Sequence, residues 1–196
     1  MDGMQWMASA MRAARSQLDV ATHNLANVSS DGFRRVTATL ELSERGLVVR
    51  QSPTGEQGAI RRTNRALDVA LLGPGQFLAG GEPTRSGAFV RDRDGYLADD
   101  RGRRIAGRCG PIRFPEGATI ESDGSIRSVA GRMLDRFPLP AGTRIESGAL
   151  ETSNVNAIAE SLTVLQAQRA FETAQKVLVA IDDTRSKAAS DVGRIQ

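Results

Sequence analysis

The chain has 196 residues, a net charge of +3, 40% apolar and only 4% aromatic residues, a composition that fits one sizeable soluble domain or two small ones. One cysteine (Cys109) and one histidine (His23) exclude an intrachain disulfide framework, a cysteine-based zinc site and a histidine cluster. The 26 basic residues are all arginine except Lys176 and Lys187, and they are interleaved with 23 acids, whereas a surface that tracks phosphates needs a dense stripe of one sign.

Residues 1–32 form the first zone. Asp2 and Gln5 stand in the capping-box relation, which marks a helix start. Met4, Met7, Met11, Ala14, Leu18, Ala21 and Leu25 then recur at alternating spacings of three and four. That pattern predicts a helix with an apolar seam held for three heptads. The run Asn27-Val28-Ser29-Ser30-Asp31-Gly32 stops the helix with turn formers and a glycine free to take positive φ.

Residues 33–149 hold most of the 20 glycines and all seven prolines. Short β-prone runs recur at 67–72, 88–90, 119–121 and 125–129. Asp94-Gly95 and Asp123-Gly124 stand beside them, pairs that favour type I′ hairpin turns. The zone reads as a small antiparallel β domain, with 33–66 partly extended and partly irregular.

Residues 150–196 form the last zone. Ser153 to Asn156 offers several N-cap choices, and no glycine or proline interrupts the chain from there to Ala189. Val164, Ala167, Phe171, Ala174, Leu178 and Ile181 make a second seam, with Ile158, Leu162 and Leu165 as a stripe beside it. A helix of about 35 residues is roughly 50 Å long, too long for the β domain to cover. The two terminal helices are therefore expected to pair in a coiled-coil-like α domain. The extra stripe, and the alanine and methionine in the seams, favour further contacts with other copies.

No constellation reads as an active site. His23 has no second ligand and is an ordinary helix residue. Cys109 lies in an arginine-rich loop beside Gly110-Pro111 without a histidine near it in sequence, as a plain thiol. Asp92-Arg93-Asp94-Gly95 has glycine fourth and Arg103 twelfth, against the sixth-position glycine and twelfth-position glutamate of a calcium loop. Gly73-Pro74-Gly75 lacks the Lys-Ser/Thr pair of a phosphate loop. Asp182 and Asp183 point about 100° apart on a helix. Asn27-Val28-Ser29 spells a glycosylation sequon, without a secretory signal to give it use. The start of the chain has no basic stretch followed by an apolar run, so no cleaved leader is expected. No run of about 18 apolar residues is present to span a membrane. Competing readings are a monomeric helical adaptor, a basic nucleic-acid-binding protein, and a hydrolase using Asp or Glu.

The stretch Asn24-Leu25-Ala26-Asn27-Val28-Ser29-Ser30-Asp31-Gly32-Phe33-Arg34 resembles the N-terminal signature of flagellar rod and hook proteins. Leu150 to Asn156, Glu160, Gln168 to Glu172 and Lys176-Val177 are similar to that family's C-terminal signature. Segments 58–72, 84–89 and 94–97 agree in the same order. Residues 33–57 and 137–150 look compressed, and Gln76-Phe77 stands where the family often has an aromatic pair.

The resemblance implies a structural subunit of the bacterial flagellar basal-body rod, of the proximal or distal rod class, with no cofactor and no enzyme activity. It implies a homo-oligomer that stacks helically into a hollow periplasm-spanning shaft. Other rod proteins and hook-side axial proteins would be its neighbours, and the flagellar type III export apparatus would release it without a cleaved signal. The expected assembly interface comprises Met4, Met7, Met11, Leu18, Leu25, Asn27, Gly32, Phe33, Asn154, Val155, Ile158, Leu162, Val164, Leu165, Phe171, Leu178 and Ile181. Asn27 and Asn154 are expected to cap helix ends.

Overall fold

The computed structural model describes residues 3–43 and 46–193, with side chains as far as residue 187. In chain order the elements are α1 (Gly3–Ala26), β1 (Val36–Ser43), β2 (Gly46–Pro53), β3 (Ile60–Arg62), β4 (Val69–Leu72), β5 (Phe77–Ala79) and β6 (Glu82–Thr84). There follow β7 (Val90–Arg91), β8 (Leu97–Ala98), β9 (Thr119–Ile120), β10 (Ser125–Arg127), β11 (Met133–Arg136), β12 (Arg144–Ser147), β13 (Ala149–Glu151) and α2 (Ala157–Gly193). The fold class is α+β, with terminal helices and small antiparallel sheets as expected. The N-cap expected at Asp2 lies outside the described residues.

The chain folds as two compact units. One gathers α1, the β1–β2 hairpin and α2; the other gathers residues 29–34 and 55–154. The boundary expected at residue 33 therefore does not separate the units. The hairpin is regular, pairing Val36↔Pro53 through Ser43↔Gly46. Its strands alternate: Ala38, Leu40 and Leu42 share a face with Leu47, Val49 and Gln51, and Thr37, Thr39, Glu41 and Arg50 share the other. Both strands pack on α1, where Ser9, Ala13 and Val20 are buried, while Leu40 and Leu42 of the first face stay 45% and 71% exposed. The Leu47 N–H reaches Ser9 Oγ at 3.4 Å, and Gln51 Nε2 donates to Ser16 Oγ at 3.2 Å. The small side chains of this second α1 face let the hairpin lie close. The alternation in Val36–Ser43 was the available signal for it.

One of the two expected helix caps is found and the other is replaced by a neighbour. Asn27 Nδ2 donates to the His23 carbonyl at the end of α1, as predicted. Asn154 instead donates to the Glu56 carbonyl. Asn156 is the N-cap of α2, its Oδ1 accepting the N–H groups of Ile158 and Ala159 at 3.0 and 3.1 Å. The reason is position: α2 begins at Ala157, so only residue 156 can reach the free N–H groups of its first turn.

The second unit holds a core of Val69, Leu71, Phe77, Ala79, Phe89, Leu97, Ile105, Ile112, Phe114, Ile120, Ile126, Phe137 and Ile145. Four of the six phenylalanines lie in it. Phe77 packs edge-on against Phe89 and Phe137, at 4.9 and 5.1 Å between ring centroids.

One turn recurs four times around this core. Residues 92–96, 99–103, 121–125 and 128–132 each close with the N–H of the fourth residue on the carbonyl of the first, and the N–H of the first on the carbonyl of the fifth. The fourth residue is always glycine at positive φ: Gly95, Gly102, Gly124 and Gly131. Asp94 and Asp123 do not have the positive φ a type I′ turn requires, so the expected turn type is corrected. These are three-residue hairpin loops in which glycine alone takes the left-handed position. The spacing Asp-x-x-Gly, seven residues apart at Asp92 and Asp99, is the sequence trace of the repeat.

The turn aspartates hold the loops shut. Asp99 Oδ1 accepts the N–H groups of Arg101 and Arg103, and Oδ2 accepts Arg103 Nε. Burial alone would raise this carboxyl, but the Arg103 and Arg101 hydrogen bonds together outweigh burial and bring it below its ordinary 3.8. Asp123 is also lowered, first by the Ser125 hydroxyl and then by the Ser125 N–H. A carboxyl lowered in the folded state stabilises fully above its unfolded value, and the contribution is lost as pH falls through the folded one. The thermal midpoint of the second unit, followed by near-ultraviolet dichroism of Tyr96, is therefore expected to stay flat down to about pH 5 and to fall below about pH 4. Asp99→Asn should flatten that acid limb; a limb unchanged by the substitution removes the turn from the account.

Candidate assembly interface

The two helices pack against each other along the predicted seams. On α1, Ala14 and Ala21 are buried, and Met4, Met7, Met11, Leu18 and Leu25 are half-buried. On α2, Ala167 and Ala174 are buried, and Val164, Phe171, Leu178 and Ile181 are half-buried. The alternation of a small buried residue with a larger half-covered one follows from the chemistry. Alanine lets the backbones approach, and the larger chains lie beside the contact line.

Ile158, Leu162 and Leu165 behave differently. They are 76%, 55% and 52% exposed. At 100° per residue they fall within about 60° of one another and on the side of α2 opposite Ala167 and Ala174. α2 thus carries apolar side chains on two opposed faces, and α1 covers one of them. Val155 is half-buried just before the helix.

The remaining predicted positions sit in the second unit. Gly32, at φ +72°, places its N–H 2.6 Å from the Glu151 carbonyl. A Cβ there would lie 2.4 Å from the Arg85 carbonyl carbon. Phe33 and Asn154 are half-buried. Gly32 is needed for this close backbone approach, so its role within the chain is docking of residues 29–34.

Two buried polar clusters went unread in the sequence. In the first unit, Asn24 is fully buried and Glu160 is 1% exposed. The Asn24 carboxamide pairs with the backbone of Val36 as a neighbouring strand would, donating from Nδ2 to its carbonyl and accepting its N–H, both at 2.8 Å. Nδ2 also donates to Glu160 Oε2 at 3.3 Å, and Arg35 Nε donates to Glu160 Oε1 at 2.5 Å. One point thus ties α1, the base of the hairpin and α2.

In the second unit, the Arg85 and Glu151 side chains are 2% and 1% exposed. Arg85 donates to Glu151 Oε2 from both Nε and Nη2, and to the carbonyls of Leu71, Gly73 and Gly75 at 2.7–3.0 Å. Glu151 Oε1 accepts the Gly58 N–H at 3.2 Å and lies 3.7 Å from Arg34 Nε. Buried charges are stable only when partnered in this way. The signal for both clusters was faint: each glutamate stands in the C-terminal signature, but nothing local names its partner.

The arginines also account for the basic composition. Among the described residues at least ten of them are ion-paired to acids of the same chain, from Arg34–Glu151 to Arg136–Asp123. Arginine used this way is part of the fold rather than a phosphate-facing stripe. No helix among the described residues is long and apolar enough to cross a membrane.

Comparison with known proteins agrees with both ends of the chain. A family profile described as "Flagella basal body rod protein" matches residues 4–34, and one described as "Flagellar basal body rod FlgEFG protein C-terminal" matches residues 146–191. The flagellar basal-body rod protein FlgF of Escherichia coli K12 is 32% identical over 239 aligned positions, covering 92% of this chain and 95% of the relative. FlgF of Salmonella typhimurium is 30% identical with the same coverage. FlgG of Agrobacterium fabrum is 25% identical over 91% of this chain and 95% of the relative.

Proposed function

The chain belongs to the flagellar basal-body rod protein family, and from that premise we propose that it self-assembles helically into the shaft that carries torque from motor to hook. The supporting observation is the uncovered face of α2. Ile158, Leu162 and Leu165 lie opposite the seam that α1 already fills, so their burial requires another molecule. Apolar area removed from water contributes about 25 cal/mol per Å², and a helical lattice repeats the contact at every subunit. Other rod proteins and hook-side axial proteins occupy the ends of the stack. The chain leaves through the flagellar type III export apparatus, and it performs no catalysis.

The test is Leu162→Glu combined with Leu165→Glu. Both side chains are exposed in the single chain, so its thermal midpoint should move little. Hook-bearing flagella and swimming should be lost by at least tenfold in a strain that depends on this chain. Normal swimming of the double variant would reject the α2 face as the contact. A stable monomer in concentrated protein, with no tubes by electron microscopy and no effect on motility, would favour the monomeric adaptor.

A further inference from the structure

The seam between α1 and α2 is partly self-similar at a spacing of seven residues. On α1, Ala14 recurs as Ala21 and Leu18 as Leu25; on α2, Ala167 recurs as Ala174. A pairing displaced by one heptad again sets alanine against alanine at one point, although Phe171 replaces Val164 and Ile181 replaces Ala174 along the row, so apolar packing alone leaves the displaced register open.

Glu160 removes that ambiguity. It stands four residues before Val164, in line with the seam, and is the only charged side chain among positions 160, 164, 167, 171, 174, 178 and 181. Its carboxylate is shut from water and is met by Asn24 Nδ2 and Arg35 Nε. Asn24 cannot follow a moving partner, since its carboxamide is held by both backbone groups of Val36. A displacement of seven residues carries Glu160 about 10 Å along the axis, away from both donors. In one direction it also sets Ala167 against Asn24. A buried carboxylate stripped of its partners is strongly disfavoured, and a single polar residue in an apolar seam is an established way to fix register.

We infer that Asn24 and Glu160 are positioning residues that set the register of α2 against α1, with Arg35 and Val36 at the hairpin base as the fixed reference. The register concerns the inside of one chain, and it rests on the rod reading only where motility is scored. A correct register decides where Ile158, Leu162 and Leu165 emerge on the far side of α2, so it sets the surface offered to any neighbour.

The experiment uses the full chain in cells that depend on it for swimming, with the exposed Cys109 replaced by serine. Three cysteine pairs report the register. Met4→Cys with Arg185→Cys reads the native one, in which Arg185 Nη1 lies 2.7 Å from Met4 Sδ. Met4→Cys with Leu178→Cys and Met11→Cys with Arg185→Cys read a one-heptad displacement in either direction. A short bismaleimide joins the pairs, and only the product that stays at monomer mass on a denaturing gel is scored.

With Glu160 intact, the 4–185 product should exceed the other two by at least tenfold. Glu160→Leu should bring the displaced products to within about threefold of the native one and abolish swimming. Glu160→Gln, which keeps an acceptor for Asn24, should retain the native pattern. If Glu160→Leu is degraded, Glu160→Met, closer in length, takes its place. A native-only pattern with leucine or methionine overturns the inference. So does a displaced pattern with glutamine, a missing 4–185 product in the Glu160 chain, or degradation of both apolar variants, which would make the role purely structural. A native-only pattern in a chain that has stopped swimming overturns it too, whereas a clean register shift with swimming intact spares it and counts against the rod reading.

Discussion

Arg85→Ala unfolds the second unit at least about 12 °C below the parent chain. Among the described residues, the substitution leaves the buried Glu151 carboxylate with the Gly58 N–H at 3.2 Å and Arg34 Nε at 3.7 Å. It also strips Gly73 and Gly75 of the guanidinium that binds their carbonyls. Removing one partner of a buried ion pair costs about 3–5 kcal/mol, and for a unit of this size each kcal/mol moves the midpoint by about 4–8 °C. Arg85→Lys should recover little of the loss. An ammonium is a point donor and cannot serve Glu151 and three carbonyls spread over Leu71, Gly73 and Gly75 at once. Calorimetry of the three chains measures this directly. A midpoint shift below about 4 °C for Arg85→Ala, or full recovery with lysine, would show that the fork geometry is dispensable.

Phe171→Asp abolishes rod assembly while the second unit still folds. Phe171 stands between Ala167 and Ala174 on the seam, half-buried where α2 meets α1. Full truncation of a buried phenylalanine costs about 3–5 kcal/mol. Partial burial lowers that figure, but an aspartate adds the penalty of a carboxylate placed in an apolar seam. The helices have few other large contacts to fall back on, because the most deeply covered seam positions are alanines. Soft-agar swimming should fall to the level of a deletion strain, and Tyr96 dichroism should be unchanged because that turn belongs to the other unit. Rods and swimming at the parental level would exclude the seam as a requirement for assembly.

Much of the architecture was legible because it rests on local periodicity. Seams spaced by three and four predicted α1 and α2, and glycines at turn corners predicted a β region of short strands. The hairpin at Val36–Pro53 went beyond the partly extended, partly irregular segment expected there, although Val36, Ala38, Leu40 and Leu42 alternate with polar residues. The cap at Asn27 followed from its place at a helix end. The cap at Asn156 was misplaced by two residues because Ser153, Asn154 and Asn156 are all chemically able to cap, and only the first turn of α2 decides among them.

The amino-acid sequence by itself determined the helices, the seam faces on which they meet and the positions of the glycine turns, because each depends on residues within a few positions of one another. It also determined the family, since both terminal signatures are contiguous runs. Tertiary structure alone decided which partners the buried acids Glu151 and Glu160 meet. Arg85 and Glu151 are 66 positions apart, and Asn24 and Glu160 are 136 apart. With 26 basic and 23 acidic residues, composition permits hundreds of pairings. Local pattern cannot rank them, because a charge is held in the interior only where the crossing of distant segments supplies every one of its partners.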